Sequence, residues 1–255
     1  MGFFDGFLKD DSRILFFQRC ESTNDIAKKI IDGYESGTII TCDMQTGGRG
    51  RSGKKWKSSS SGNIYMSVIY KNDYIRKDTI PLLSQVAGLA LYNYLKQYIE
   101  EAEIILKWPN DILVNEKKIC GILVETSYIG ERPDGIVVGV GFNLNTDVEY
   151  FTEEKFNGTS LLVETDKYYR KNEFMIELAD IIIKYLDLWN QYGFDYFYGQ
   201  WSKIVRITDR KCLFYKEHEL KTGVVKDVVP GNFIVEYENE DIFIPFESIE
   251  IPEQS

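Results

Sequence analysis

The sequence predicts an α+β protein: a mixed, largely antiparallel sheet backed by helices, followed by a small β-barrel. Three observations predict it. Helix caps and i, i+3, i+4 apolar spacing mark three separate helices. The strand-like runs between them follow one another across short turns, as antiparallel neighbours do. After Trp201 the helical pattern stops, and about fifty residues carry only short strand runs. With 255 residues, 44% hydrophobic and 27% charged, the composition is globular and the length suits one large domain with an appendage. We place the division at residues 1–202 and 203–255.

Taken in order, Ser22-Thr23-Asn24-Asp25 is a run of N-cap residues, Ile26, Ala27, Ile30 and Ile31 follow at helical spacing, and Gly33 is a natural stop. A second helix is expected after Asp78-Thr79, with Pro81 in its first turn, running through Leu82, Val86, Leu89 and Leu91 to about Tyr98. A third spans 172–191, with Phe174, Leu178, Ile181, Ile182 and Leu186 inside and Gly193 at its end. Strands are expected at 37–43, 63–70, 104–106, 112–114, 119–125 and 135–144, with Ile112 to Ile119 forming a hairpin whose polar residues make the turn. The helices are expected on one side of this sheet. The appended strands fall at 211–215, 221–229, 233–237 and 241–245, with turns at Pro230-Gly231-Asn232 and Asn239-Glu240.

Charge and cysteine usage narrow the function. Forty acidic against thirty basic side chains leave a formal charge of -10, a field that repels nucleic acid unless a local patch overrides it. No apolar run approaches the roughly 20 residues of a membrane helix. The start, Met1 to Gly6, is broken by charge too early for a signal peptide and lacks the Ser or Thr of a myristoylation site. Cys20, Cys42, Cys120 and Cys212 are scattered, which argues against a zinc site or disulfide framework and for the cytoplasm. His218 is the one histidine, so a Ser-His or Cys-His relay has little to be built from.

The informative stretch is Gln45-Thr46-Gly47-Gly48-Arg49-Gly50-Arg51-Ser52-Gly53-Lys54-Lys55-Trp56. From Met44 through Lys71 there is no acidic residue, while Arg49, Arg51, Lys54, Lys55, Lys57 and Lys71 give a local charge of +6. Glycines at 47, 48, 50 and 53 expose backbone amides and let the chain approach an anion closely. A mobile, positive loop of this kind suits folding over a phosphate or carboxylate. Three other readings compete. A solvated basic loop leaves the glycine–arginine alternation unexplained. A P-loop fits at Gly48, Gly53 and Lys54 but fails at Lys55, where Ser or Thr is needed. A disordered Arg-Gly nucleic-acid segment sits badly in a short stretch of an acidic chain.

Gly48-Arg49-Gly50-Arg51-Ser52-Gly53-Lys54-Lys55-Trp56 resembles the Gly-Arg-Gly-Arg-x-Gly-Arg-x-Trp loop of biotin–protein ligases. Glu21-Ser22-Thr23-Asn24 upstream resembles the same family, as do Lys107-Trp108-Pro109-Asn110-Asp111, Lys118-x-x-Gly121-Ile122-Leu123-Val124-Glu125 and Gly139-Val140-Gly141-Phe142-Asn143 downstream. The likeness extends over nearly the whole chain, including the final small barrel, which implies a class II synthetase-like fold with an SH3-like C-terminal barrel. One departure stands out: Lys54 replaces the family's arginine and cannot grip a phosphate in bidentate fashion.

The resemblance implies an ATP-dependent ligase that makes biotinyl-5′-AMP and transfers the biotinyl group to a lysine of a biotin carboxyl carrier domain, with Mg²⁺ as cofactor. An anionic nucleophile must then meet a polyanion, so cations have to be aimed at the reacting oxygens. The resemblance gives that work to Arg49, Arg51, Lys54 and Lys118, with Lys118 starting the strand after the hairpin turn. Arg51 is implied to clamp the reactive adenylate, and Asp111 to orient and deprotonate the acceptor lysine or to hold the metal. For biotin the implied contacts are Ser22, Thr23, Asn24, Gln45, Arg49, Arg51, Ser67, Lys118 and Gly121. For ATP they are Arg49, Arg51, Lys54, Trp56, Lys107, Asn110, Lys118 and Asn143.

Only twenty residues precede Glu21, too few for the helix-turn-helix of the repressor variants, so the expectation is a ligase without a DNA-binding module. Homodimerisation, common in the family, is left open. The rival readings are a lipoate or octanoate ligase or transferase of the same fold, and a binding protein that holds biotin or a nucleotide without catalysis.

Overall fold

The computed structural model describes residues 13–58, 62–71, 80–129, 132–229 and 231–252. The motif at Met1 to Gly6, the helix start at Asp78-Thr79, Ser59 to Ser61 and Pro230 lie outside them. The first strand β1 (Ile14–Cys20) leads into helix α1 (Thr23–Ile30). The Ser22 side chain caps that helix by accepting from the Asp25 N–H, and a short 3₁₀ turn, Ile31–Gly33, ends it. Then come β2 (Ile39–Gln45), β3 (Ile64–Tyr70), α2 (Ile80–Leu95), β4 (Ile104–Lys107), β5 (Asp111–Val114), β6 (Lys117–Ile129) and β7 (Arg132–Phe142). The β5–β6 hairpin turns through Asn115 and Glu116, both at positive φ, the handedness a tight two-residue turn requires.

These strands form an eight-stranded sheet in the order β1-β2-β3-β7-β6-β5-β4-β8, where β8 is Val205–Arg206. The pairings β1–β2 and β4–β8 are parallel and the other five are antiparallel, the mixed, largely antiparallel sheet expected from the sequence. Side-chain alternation sorts its two faces. Ile14, Ile39, Val68 and Val138 enter the larger core, with Phe174, Leu178 and Ile182 of the long helix α5 (Lys171–Tyr192) and Leu83, Val86 and Leu91 of α2. Their sequence neighbours Leu15, Ile40, Ile69 and Val137 pack instead with Ala27 and Ile31. The expectation of helices on one side is therefore corrected: α2 and α5 back one face, and α1 lies on the other. The period-2 pattern of a strand buried on both faces cannot say which helix takes which face.

Elements that the sequence reading did not single out are β1, α3 (Val148–Glu153), α4 (Leu161–Thr165), α6 (Asp195–Ile204), β8 and the two-residue β13 (Ile249–Glu250). The C-terminal region is a five-stranded antiparallel sheet with strand order β12-β11-β10-β9-β13, where β9 is Lys211–Lys216, β10 Glu219–Val229, β11 Asn232–Tyr237 and β12 Glu240–Pro245. It shares the larger core with the main sheet. The Trp108 ring lies 5.1 Å from Phe233 and 5.9 Å from Phe246, and Trp201 lies 5.7 Å from Phe246. That aromatic seam locks the small sheet beneath the Lys107-to-Asp111 turn.

Candidate active site

On the α1 face of the main sheet, two adjacent strands, β6 and β7, carry glycines where side chains would otherwise fill the space. Gly141 of β7 stands opposite Gly121 of β6, and Gly139 stands between Leu123 of β6 and Ser67 of β3. This glycine floor opens a cleft of about 460 Å³, solvent at its mouth included, within the usual range of roughly 300–1,000 Å³ for small-molecule sites. The floor is closely covered. A Cβ on Gly139 would lie 2.2 Å from Asn24 Oδ1, and one on Gly141 would lie 2.3 Å from Cε2 of the Trp56 indole. Glycine is needed here for that close approach.

One end of the cleft is a neutral hydrogen-bond network. Asn24 uses both N–H groups, donating to Glu125 Oε2 (2.7 Å) and to the Leu123 carbonyl (3.2 Å), which fixes its Oδ1 toward the Ser67 hydroxyl at 2.6 Å. Ser67 also lies 2.7 Å from Thr23 Oγ1, and Gln45 Oε1 accepts from the Thr23 N–H (2.9 Å) and hydroxyl (3.2 Å). Ser22, Thr23, Asn24 and Ser67 are all buried, so this chain sets polar groups at fixed positions in a site partly shielded from water.

The other end is ionic. Lys118 Nζ lies 2.7 Å from Asp111 Oδ1, an ion pair without hydrogen-bond angles, since that oxygen has no hydrogen-bond partner. The same ammonium stands 5.1 Å over the Trp56 ring. The backbone of Lys118 is clamped: its N–H donates to the Asn157 carbonyl (3.0 Å), and its carbonyl accepts from Thr159 N–H (2.9 Å) and Asn143 Nδ2 (3.3 Å). Asn110 Nδ2 donates to the Ile122 carbonyl at 2.8 Å. The turn bearing Asn110 and Asp111 is held from below, where Trp201 Nε1 donates to Gln85 Oε1 at 2.7 Å and Gln85 Nε2 donates to the Pro109 carbonyl.

The glycine–arginine segment crosses between these ends as a small hairpin. Gly50 N–H donates to Lys54 O (2.6 Å), Trp56 N–H to Gly48 O (2.9 Å), and Arg49 bridges antiparallel to Lys55. A 3₁₀ turn at Arg51–Gly53 makes its tip, with Gly53 at φ 76°. Arg49 pairs with both oxygens of Asp25 at 2.5 Å, and that guanidinium holds the Asp25 carboxyl below the usual carboxylate range. At the return end Lys57 pairs with Glu154. Arg51 stands on the exposed hairpin tip, where partial desolvation lowers its pKa against the opposing charges of Glu250 and Asp111.

The Biotin/lipoate A/B protein ligase family model matches residues 16–143, half of the chain. The chain belongs to this family. Its curated relatives include the bifunctional ligase/repressor BirA of Bacillus subtilis, 39% identical over 121 residues, covering 46% of this chain and 36% of that protein. A biotin--[acetyl-CoA-carboxylase] ligase of Mycobacterium tuberculosis is 34% identical over 145 residues, covering 55% of this chain and 52% of that protein. This chain thus spans only about a third to a half of the length of these relatives. Among solved structures, a biotin protein ligase from Aquifex aeolicus in complex with biotin and ATP superposes with TM-score 0.77 at 26% identity, covering 96% of this chain and 100% of that one.

In this ligase-family member the structure brings most of the sequence-predicted site residues together. Ser22, Thr23, Asn24, Gln45, Arg49, Trp56, Asn110, Lys118 and Gly121 line the cleft. Ser67 stands behind it in the network, and Asp111 reaches it through Lys118. Arg51 and Lys54 lie on the exposed hairpin and Lys107 on β4, all outside the cleft lining. Asn143, expected to meet adenine, gives its amide nitrogen to the carbonyls of Lys118 and Thr159 (3.0 Å) and so braces the Lys118 strand. Gly139 and Gly141 were visible within their motif but carried no role. Glu125 stood in its motif and Asp25 in the N-cap run, each without a site role, and Gln85 gave no signal, because each matters through a partner distant in sequence.

Proposed function

We propose that this protein is an ATP-dependent biotin–protein ligase: it activates biotin as biotinyl-5′-AMP and transfers the acyl group to a lysine of a biotin carboxyl carrier domain. The observation that carries this reading is the glycine-floored cleft, which has a neutral amide–hydroxyl network at one end and the Lys118–Asp111 pair at the other. A flat apolar acid with a polar, uncharged head and an anionic tail matches that polarity. The ureido head would meet Thr23, Asn24, Gln45 and Ser67, with Ser22 and Gly121 beside it. The carboxylate and α-phosphate would meet Lys118, helped by Arg51 and Lys54 from the hairpin, while Arg49 stays paired with Asp25 and holds the hairpin's base. The nucleotide would extend toward Trp56, Lys107, Asn110 and Asn143.

In the first step a carboxylate oxygen attacks the α-phosphorus and pyrophosphate leaves. Lys118 would leave Asp111 for the developing charge, a gain that a shielded site enlarges. The freed Asp111 would then orient the acceptor amine and take its proton, so that nitrogen attacks the mixed anhydride and AMP leaves. Deprotonating a free lysine at neutral pH costs roughly 4–5 kcal/mol, which sets the size of that contribution. Among the described residues no three His, Cys, Asp or Glu side chains gather, so the protein fits Mg²⁺ only as a companion of the phosphates, with the orphan oxygen of Asp111 as a single protein ligand. When bound, the ion supplies charge neutralisation to the triphosphate.

The setting we infer is cytoplasmic. All four cysteines are free, and no described helix is long and apolar enough to cross a membrane. The working division we propose is 1–202 for the biotin and ATP domain and 203–255 for the appended one, with α6's end and β8 as the connection. We take the chain to work without nucleic acid, as a monomer or homodimer.

Incubation with biotin, Mg-ATP and a biotin carrier domain, read by intact mass, tests the reading. The expected result is one biotinyl group on the carrier and none when ATP is omitted. Modification with lipoate or octanoate instead would move the chain to the other branch of its family. Ligand binding without ATP–pyrophosphate exchange would make it a binding protein.

A further inference from the structure

Asp25 is the residue after the Asn24 that anchors the head-group network, yet its carboxylate points to the hairpin rather than to the cleft. Its two oxygens each take one N–H of Arg49 at 2.5 Å, the fork-on-fork geometry that fixes direction as well as distance. Two more charges surround the pair. Glu125 Oε2 lies 3.8 Å from Arg49, and Lys28 lies 2.6 Å from Glu125 and 3.5 Å from Asp25. Two acids face two bases, and Glu125 also holds Asn24. The network is partly shielded, with Asp25 and Glu125 side chains 26% and 25% exposed.

Arg49 lies at the base of the hairpin, one residue from the Gly48 carbonyl that receives the Trp56 N–H, and the Trp56 indole covers Gly121 and Gly141. A shift of Arg49 therefore moves the cover of the cleft. The Arg49 guanidinium is committed to carboxylates of the protein, and its role here is that of a strut.

We propose that Asp25 is a positioning residue: its two-point pairing with Arg49 holds the glycine–arginine hairpin folded over the cleft before any ligand arrives. Ordering the hairpin in advance reduces the entropy lost on binding. Under the ligase reading, on which this part rests, it also keeps the activated acyl group from water.

Two readouts test the proposal, using the full chain and Asp25→Ala, Asp25→Asn and Asp25→Glu. The first needs no activity: hydrogen exchange of the ligand-free protein over residues 44–58, followed by mass spectrometry. Both Ala and Asn should speed exchange in that peptide by about two- to fivefold, the range of a partly exposed ion pair. Glu should restore it, and peptides from α5 should stay unchanged. Added salt should move the wild type toward the variants. The second readout is free biotinyl-adenylate released per amide formed, together with KM for biotin. Leakage and KM should rise two- to fivefold with kcat little changed. Unchanged exchange in Ala and Asn overturns the strut. Faster exchange with unchanged leakage and KM overturns its role in retention. A wild type that forms no amide overturns the ligase reading instead, and the exchange measurement still decides the strut.

Discussion

Lys118 and Asp111 face each other at 2.7 Å across the β5–β6 hairpin, and the Asp111 oxygen that meets the ammonium is buried without a hydrogen-bond partner. Their Cα atoms are not register partners: Asp111 pairs with Gly121 and Lys118 with Leu113, across an irregularity between Ile112 and Leu113. That irregularity brings the long lysine over Gly121, where a Cβ would come within 3.2 Å of its Cε. The pair stores a cation beside the cleft with its charge balanced, ready to exchange one anionic partner for another.

Removing the cation should therefore hurt the first step most. Lys118→Met is expected to lower biotin-dependent ATP–pyrophosphate exchange by about 10²–10³-fold, as loss of one preorganised charge donor does. Lys118→Arg should recover only part, because the larger planar guanidinium spreads its charge and cannot occupy the compact ammonium position beside Asp111.

Asp111→Asn is expected to do the opposite. Pyrophosphate exchange should survive within about tenfold, while single-turnover transfer from preformed adenylate to the carrier falls by about 10²-fold or more. Rapid-quench measurement of the two half-reactions separates them, and equal losses in both would count against a base role.

The glycine floor gives a steric test. Gly141→Ala sets a methyl 2.3 Å from the Trp56 ring and Gly139→Ala sets one 2.2 Å from Asn24 Oδ1. Each should weaken biotin binding by at least about tenfold in calorimetry, with a stability loss of about 1–3 kcal/mol from overpacking. Gly199 of α6, which has open space around its Cβ position, supplies the control: Gly199→Ala should leave binding unchanged.

Gln85 is 1% exposed and links Trp201 to the Pro109 carbonyl. Gln85→Leu leaves the buried Trp201 Nε1 unpartnered and the half-buried Pro109 carbonyl without its donor, at a stability loss of about 1–3 kcal/mol for the former. Urea unfolding measures it. Transfer should suffer more than adenylate formation, because the turn carrying Asp111 loses its support.

Acid should release the strut. The Arg49 guanidinium lowers the Asp25 carboxyl, with Lys28 adding to it and Glu125 also facing the cluster. A depressed carboxyl contributes stability that is present above its unfolded value, about 3.9, and lost as pH falls through the lower folded value. The stability gap between wild type and Asp25→Asn should thus be flat above about pH 5 and shrink below about pH 4. Thermal melts across that range check the sign.

Much of this architecture is legible in the residues. Ser22 caps α1, Gly193 ends α5 at φ 72°, and Asn115-Glu116 turns the hairpin, each from local chemistry that needs no distant partner. β1 escaped notice because its Gln18-Arg19-Cys20 end is polar and it is an edge strand. The short helices α3 and α4 escaped because five or six residues carry too little periodicity.

By itself the sequence determined the order of helices and strands, the concentration of glycine and positive charge between Gln45 and Lys57, and the glycines that leave the sheet bare. These follow from backbone sterics, side-chain period and capping, which act over a few residues. The tertiary structure decided which side of the sheet α1 covers, that Arg49 answers to Asp25, that Lys118 rests on Asp111, and that Asn143 braces a strand. Such pairings join residues 7 to 25 positions apart. A charge's partner depends on where the packed sheet brings it, and alternation along one strand does not carry that information.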